Sequence, residues 1–258
     1  RWGNFYAGSL GWRIDKESFL TDNALIDRLL LRVGYGTIGN QEIGDYPFTD
    51  MINSGYNYPF GNTKSTGAVV TSLGNSKVKW ESSNQLNIGA DIEMWNGKFS
   101  ASLDYFNKIT KDLLVKQPIA SSGGSDDAGN NHFAWMNNGE IKNEGIELLL
   151  TYADAVGDVQ YSISGNAGAL SNKVLHVDTP IPGGTYGSDF VTLTEVGHPV
   201  GSFYLYEMEG IFQNGTDIFI HAFQGNEIKP GDVKYKDQNN DGVINAKDRK
   251  HLGSPIPK

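Results

Sequence analysis

The sequence contains no cysteine. Disulfides, thiolate-bound zinc and thiol catalysis are thereby excluded, and the chain suits a bacterial envelope. It has no run of lysine and arginine, and its net charge is −9. Without a basic stripe it cannot neutralise a phosphate backbone, so no nucleic acid is expected as a partner. No stretch approaches the roughly 18 consecutive apolar residues of a membrane helix. Crossing by strands stays open, because a barrel strand needs only about 9–11 residues and turns only alternate ones to lipid. Hydrophobic residues make up 38% of the chain, fewer than a helical or α/β enzyme of this size usually carries. There is no Gly-x-Ser-x-Gly elbow, phosphate loop or dinucleotide fingerprint. The five histidines, His132, His176, His198, His221 and His251, show no pair at metal-ligand spacing. No carboxylate pair is marked out for glycoside hydrolysis. The chain is therefore not expected to be an enzyme.

What the sequence does hold is glycine, 32 residues of it, 11% aromatics, and period-two alternation. Leu29, Leu31, Val33 and Tyr35 alternate with Leu30, Arg32, Gly34 and Gly36. The same pattern runs through Leu86–Ile92, Phe99–Phe106 and Val159–Ala169. Each run places an apolar set on one face of a strand. The opposite set is mostly Ser, Asn, Gly and Gln, which suits a water-filled lumen behind a lipid-facing wall. Period alone does not separate a barrel from a sandwich. Trp95-Asn96-Gly97-Lys98 and Ala155-Val156-Gly157-Asp158 read as tight turns, the first with the Asn-Gly pair of a type I′ hairpin. Long polar stretches, Gln41–Asn75, Pro118–Trp135 and Thr179–Gly201, lie between such hairpins. Short turns at one end and long loops at the other are the asymmetry of outer-membrane barrels. The expected fold is all-β: an antiparallel transmembrane β-barrel segment, a partial barrel with long extracellular loops.

Two features carry chemistry. Asp237-Gln238-Asn239-Asn240-Asp241-Gly242-Val243-Ile244-Asn245-Ala246-Lys247-Asp248 has the spacing of a twelve-residue calcium loop. Asp237, Asn239 and Asp241 supply side-chain oxygens, Gly242 the sharp turn, Val243 a backbone carbonyl, and Asn245 and Asp248 the later donors. Asp248 reaches less far than the usual Glu. Val233-Lys234-Tyr235 before it reads as a strand, so this is a calcium loop in a β setting; the plain alternative is an Asx-Gly turn that binds nothing. The second feature is an aromatic group in the first long loop, Tyr46, Phe48, Tyr56, Tyr58 and Phe60, with Pro47 and Pro59. These rings could contact a ligand or partner, pack on one another, or sit at a membrane interface.

Seven segments resemble one family, the SusC/RagA-type TonB-dependent receptors of Bacteroidota, in that family's order. They begin at Gly11-Trp12-Arg13-Ile14-Asp15-Lys16-Glu17-Ser18-Phe19 and at Leu29 through Gly34-Tyr35-Gly36-Thr37-Ile38-Gly39-Asn40. Trp80-Glu81 leading into Leu86-Asn87-Ile88-Gly89, Asp104-Tyr105-Phe106-Asn107 through Leu114, and Asn138-Gly139-Glu140 through Glu147 follow. The last are Gly197-His198-Pro199-Val200-Gly201-Ser202-Phe203 with Gly210-Ile211-Phe212-Gln213, and Pro230-Gly231-Asp232 running to Gly253-Ser254-Pro255. Leu205 stands where the family shows Gly in a Phe-Tyr-Gly-Tyr stretch. The resemblance implies a barrel of about 22 strands with a plugged lumen in the cell outer membrane. It implies import of glycans or peptides driven through TonB, with a SusD-like surface lipoprotein as partner and outer-membrane lipid around the wall. Residues 1–258 are then expected to be one partial barrel domain from the middle-to-late wall, with the plug, TonB box and final strands outside it. Calcium is the one expected cofactor. The alternative reading is a secreted calcium-binding β module, an adhesin or carbohydrate-binding domain.

Overall fold

The computed structural model describes residues 2–256 apart from 21–22, 24, 43–44, 47, 119–132 and 188. The Ser121–Asp127 run, His132 and Pro47 lie outside the described residues. The chain forms two compact units, Arg1–Ser171 and Asn172–Lys258.

The first unit is built on a six-stranded sheet. Its strands are β1 (Ala7–Arg13), β2 (Ile26–Asn40), β5 (Glu81–Met94), β6 (Phe99–Lys111), β9 (Glu140–Val156) and β10 (Val159–His176), in the order β1-β2-β5-β6-β9-β10. In this sheet β2, β5, β6, β9 and β10 hold 13 to 18 residues each, more than the roughly 9–11 that a bilayer crossing needs. All four alternating runs of the sequence fall inside these strands. The tight turns fall where the Gly pairs stand. Asn96 (φ 58°) and Gly97 (φ 76°) take the positive angles of a type I′ turn between β5 and β6. Gly157 (φ 60°) opens the two-residue link from β9 to β10.

Register sorts the side chains into two faces. Leu31, Ala90, Leu103 and Leu148 form one cross-strand row, and Val33, Ile88, Tyr105 and Ile146 the next. Between them, on the other face, run Arg32, Gly89, Asp104 and Glu147. The apolar face ends in aromatics at the short-turn edge, where Trp95 lies 5.6 Å from Phe99 and Tyr152 lies 6.3 Å from Tyr161. Towards the other edge it ends at Tyr105, whose hydroxyl donates to Glu144 at 3.3 Å beside Asn107 and Lys142. A sandwich strand would bury its apolar face against a second sheet. Here that face is open: Ile146 is 52% and Leu103 48% exposed. The buried apolar side chains among the described residues, Val78, Ala134, Val174, Leu193 and Phe212, all lie off it.

The long polar stretches are more regular than the sequence suggested. Residues 41–75 contain a hairpin of β3 (Met51–Phe60) and β4 (Thr63–Leu73), closed by Gly61-Asn62 between the paired Phe60 and Thr63. β7 (Leu114–Pro118) and β8 (Phe133–Asn137) flank residues 119–132 and pair with each other. The sheet order is β3-β4-β8-β7. The short β4–β8 contact, Ser72 to Phe133 and Leu73 to Ala134, is parallel in an otherwise antiparallel unit.

In the second unit, β11 (Ile181–Tyr186) and β12 (Asp189–Thr194) form a hairpin within the third polar stretch. With β13 (Ser202–Tyr206) and β16 (Arg249–Gly253) they make a four-stranded sheet in the order β11-β12-β13-β16. β14 (Met208–Ile211) pairs with β15 (Val233–Tyr235), the strand read before the calcium-like loop. Between them lies α1 (Gly215–Ile220), capped by Asn214 accepting from the Asp217 backbone N–H.

Candidate functional site

On the polar face of the six-stranded sheet, Arg32 ties three strands together. Its guanidinium donates to Asp91 at 2.7 and 2.9 Å and reaches Asp104 at 3.0 Å. Ser102 donates to Asp91 at 2.7 Å. The side chain passes over Gly89, where a Cβ would collide with the Asp104 carboxylate and come within 2.8 Å of the Arg32 guanidinium. A glycine at this point is what lets the cation span β5. Thr151 and Ser164 continue the polar face with a hydroxyl contact of 3.0 Å between β9 and β10. Both signs of charge and many small hydroxyls and amides thus line one side of a wall whose other side is apolar.

The calcium-like loop is closed by its own side chains. Asp237 accepts from the Asn240 N–H at 2.7 Å and the Gly242 N–H at 2.8 Å. Asn239 accepts from Asp241, and Asp241 from Val243, at 2.9 and 3.0 Å. Asn240 (φ 58°) and Gly242 (φ 81°) bend the backbone through the left-handed region, which favours these two residue types. Phe223 straps the loop on both sides, donating to the Gly242 carbonyl at 2.8 Å and accepting from Ile244 at 2.9 Å. Asp248 is 0% exposed and accepts from Gln238 and Asn245, at 3.0 and 2.8 Å. The Asn245 N–H foremost, with those of Gln238 and Asn239, holds the Asp248 carboxyl below the usual carboxylate range. The expected donors Asp237, Asn239, Asp241, Val243, Asn245 and Asp248 therefore lie on one closed loop. Their set of carboxylates, amide oxygens and a carbonyl has the hard-oxygen chemistry that calcium takes. Two details depart from a ligating arrangement. The Asn245 amide donates to the Val243 carbonyl at 3.2 Å, and both Asp248 oxygens act as backbone caps.

Glu207 braces the same loop. It accepts from Lys250 at 2.6 Å and Gln238 at 2.8 Å, with Lys236 at 3.6 Å. Lys250 above all, then Gln238, pull its carboxyl from the ordinary 4.5 down to about 2. A depressed carboxylate stabilises the fold above its unfolded pKa and loses that stabilisation as pH falls through the folded value. Protection of the loop amides from hydrogen exchange is thus expected to fall between about pH 4.5 and about pH 2. In Glu207→Gln that fall should flatten, and an unchanged slope would remove Glu207 from the account.

The aromatic group of the first long loop resolves into two pairs. Tyr46 and Phe48 meet edge to face at 5.9 Å, and Tyr58 and Phe60 at 5.8 Å along β3. All four are exposed, and Tyr56 is half-buried. Sequence spacing also missed a histidine pairing: His198 and His251 stack with ring centroids 3.6 Å apart. The one available signal was the Glu-x-x-His spacing of Glu195 and His198, with no hint of His251 far along the chain.

A two-faced wall of long antiparallel strands, apolar outside and charged inside, defines a segment of a transmembrane β-barrel of the outer-membrane type. Residues 1–206 match the family described as TonB dependent receptor-like, beta-barrel. The chain belongs to that family of outer-membrane barrels. TonB-dependent receptor P3 of Formosa agariphila is 30% identical over 98% of this chain and 25% of its own length. TonB-dependent receptor SusC of Bacteroides thetaiotaomicron is 30% identical over 96% of this chain and 24% of its own. These matches bear out the SusC/RagA-type resemblance. The RagAB peptide transporter structure superposes with a TM-score of 0.74 at 22% identity, over 96% of this chain and 25% of that one. The chain spans about a quarter of the length of the curated relatives it matches.

Proposed function

We propose that this chain forms part of the wall of an outer-membrane importer that takes up glycans or peptides, coupled to TonB and served by a SusD-like surface lipoprotein. The observation that carries this reading is the pairing of an exposed apolar face with the Arg32–Asp91–Asp104 face behind it. A secreted adhesin or carbohydrate-binding module has the calcium-like loop in its favour, but leaves the open apolar face without a solvent to suit it. Relatives bearing the SusC and RagAB names support a nutrient cargo and a lipoprotein lid. The exposed pairs Tyr46–Phe48 and Tyr58–Phe60, with Tyr56, are the proposed contacts for cargo or lid. The test is to delete the parent reading frame and follow uptake of labelled oligosaccharides and oligopeptides in parallel. Loss of one class, restored by the intact gene, is the expected result. Unchanged uptake of both in the deletion strain, with the protein of the parent strain recovered outside the outer-membrane fraction, would falsify the importer reading.

We also propose that the loop 237–248 holds calcium through Asp237, Asn239, Asp241, the Val243 carbonyl, Asn245 and Asp248. A divalent ion there would neutralise the crowded carboxylates and pin the loop; the residues themselves shape and orient the site. Calorimetric titration of the full-length receptor should show calcium binding that Asp237→Ala with Asp241→Ala abolishes. Binding heat of equal size in that double variant would place any calcium elsewhere.

A further inference from the structure

We infer that Glu195, His198 and His251 form a site for a transition-metal dication of the zinc class, separate from the calcium-like loop. Their ligand atoms all lie within 4.8 Å of one another. Glu195 and His198 share a turn whose backbone is fixed: the Val174 N–H donates to the His198 carbonyl, and the Gly197 N–H to the Val174 carbonyl, both at 2.9 Å. His251 comes from β16, paired with Tyr204 of β13. The ion would thus tie the turn after β12 to a strand about fifty residues further on, as a short metal clip does in a β setting.

The surroundings of His251 suit an ion. Ser202 is buried, and its hydroxyl lies 3.2 Å from the Leu193 carbonyl and in close contact with His251 Nδ1. His251 Nε2 faces the Glu195 carboxylate at 2.6 Å. With a metal on Nε2, the one proton of the ring sits on Nδ1 and meets the Ser202 oxygen. Fixing a ligating imidazole by a hydrogen bond from its other nitrogen is the usual outer-shell device of metal sites. A proton bridge alone leaves His198 without a task, yet its Nε2 lies 3.9 Å from the same Glu195 oxygen. Two imidazoles and one carboxylate are the borderline donor set that suits zinc, nickel and copper.

The donor distances bracket those of a tetrahedral site, and the ring planes have to turn. Tetrahedral zinc with bonds of about 2.0–2.1 Å sets its donors roughly 3.3 Å apart. The separations of 2.6 and 3.9 Å lie on either side of that. The rings are now parallel to within 10°, so their in-plane lone pairs must tilt to converge. His198, 42% exposed at its side chain, is free to make that turn. The ion takes the Nε2 side of His251, and the ring keeps its one proton on Nδ1, toward Ser202. Three protein donors leave a fourth position for water.

The experiment is zinc titration of the full-length receptor, with cobalt as a spectroscopic probe in parallel. One site per chain is expected, with visible cobalt bands. Ser202→Ala should weaken zinc about 10- to 100-fold, and His198→Gln at least as much. Asp237→Ala with Asp241→Ala should leave zinc untouched. His251→Gln is the direct test; should it fail to fold, the more exposed His198→Gln carries the same reading. Zinc affinity in His198→Gln equal to that of the parent receptor, or no zinc heat in either, overturns the site and leaves a proton-bridged histidine–glutamate pair.

Discussion

An arginine at Leu103 is expected to destabilise the folded receptor in a bilayer by about 2–4 kcal/mol. Leu103 sits midway along the apolar run of β6, which extends from Phe99 to Tyr105. Its cross-strand neighbours on that face are Ala90 and Leu148. No polar partner lies in that row, and a charge there meets hydrocarbon with nothing to satisfy it. Ser162 is the control. It lies on β10 with the opposite parity to Tyr161, which packs beside Tyr152 on the apolar face. Ser162→Arg should stay within about 0.5 kcal/mol of the parent, as surface substitutions do. Urea unfolding in lipid vesicles, followed by tryptophan fluorescence, measures both. Equal tolerance at the two positions would mean that the apolar face does not meet lipid.

Asp248→Ala should open the second unit locally, with a loss of roughly 2–5 kcal/mol. Truncation orphans two backbone donors, Gln238 and Asn245, whose N–H groups reach Asp248 at 3.0 and 2.8 Å. A buried group left without a partner costs about 1–3 kcal/mol, and Asp248 is the most deeply buried acid of the chain's described residues. The capping box with Asn245 is lost at the same time. Hydrogen exchange at Gln238 and Asn245 should accelerate by about 30-fold or more, since each 1.4 kcal/mol is a factor of ten. Measured in the presence of chelator, the effect separates the cap from any bound ion. Unaltered exchange at those two amides would reduce Asp248 to a bystander.

The wall was legible because its physics is local. Leu29, Leu31, Val33 and Tyr35 announce a strand by alternation, and Asn96-Gly97 announces the turn that follows β5. The faces needed no tertiary information, since parity along each strand sets them. The hairpin β3–β4 was missed although Gly61-Asn62 is a recognised two-residue turn signal. Asn, Gly and Pro within Asn53–Phe60 blur the alternation that marks a strand, and here backbone pairing outweighs side-chain pattern. The loop 237–248 was legible as a spacing, and its closure by Asx hydrogen bonds follows from the same spacing. Its strap to Phe223 was not, because the partner lies before β15 with no pattern of its own. The Glu195–His198–His251 group was hidden for a plainer reason. β16 returns to β13 across more than forty residues, and linear spacing does not encode that return.

The Arg32 network also bears on how the wall assembles. Strands of such length and repetitive alternation can slide past one another, and a slip of one residue turns a whole strand inside out. In that misaligned state Arg32 would point into lipid beside the row of Leu103, while Asp91 and Asp104 would remain in the lumen unpaired. The error would carry the penalty of an arginine in hydrocarbon, about 2–4 kcal/mol, besides the lost ion pairs. Gly89, by leaving room for only one crossing of the guanidinium, narrows the correct alignment further. A charged triad that looks like lumen chemistry is thus also a proofreading device for strand insertion.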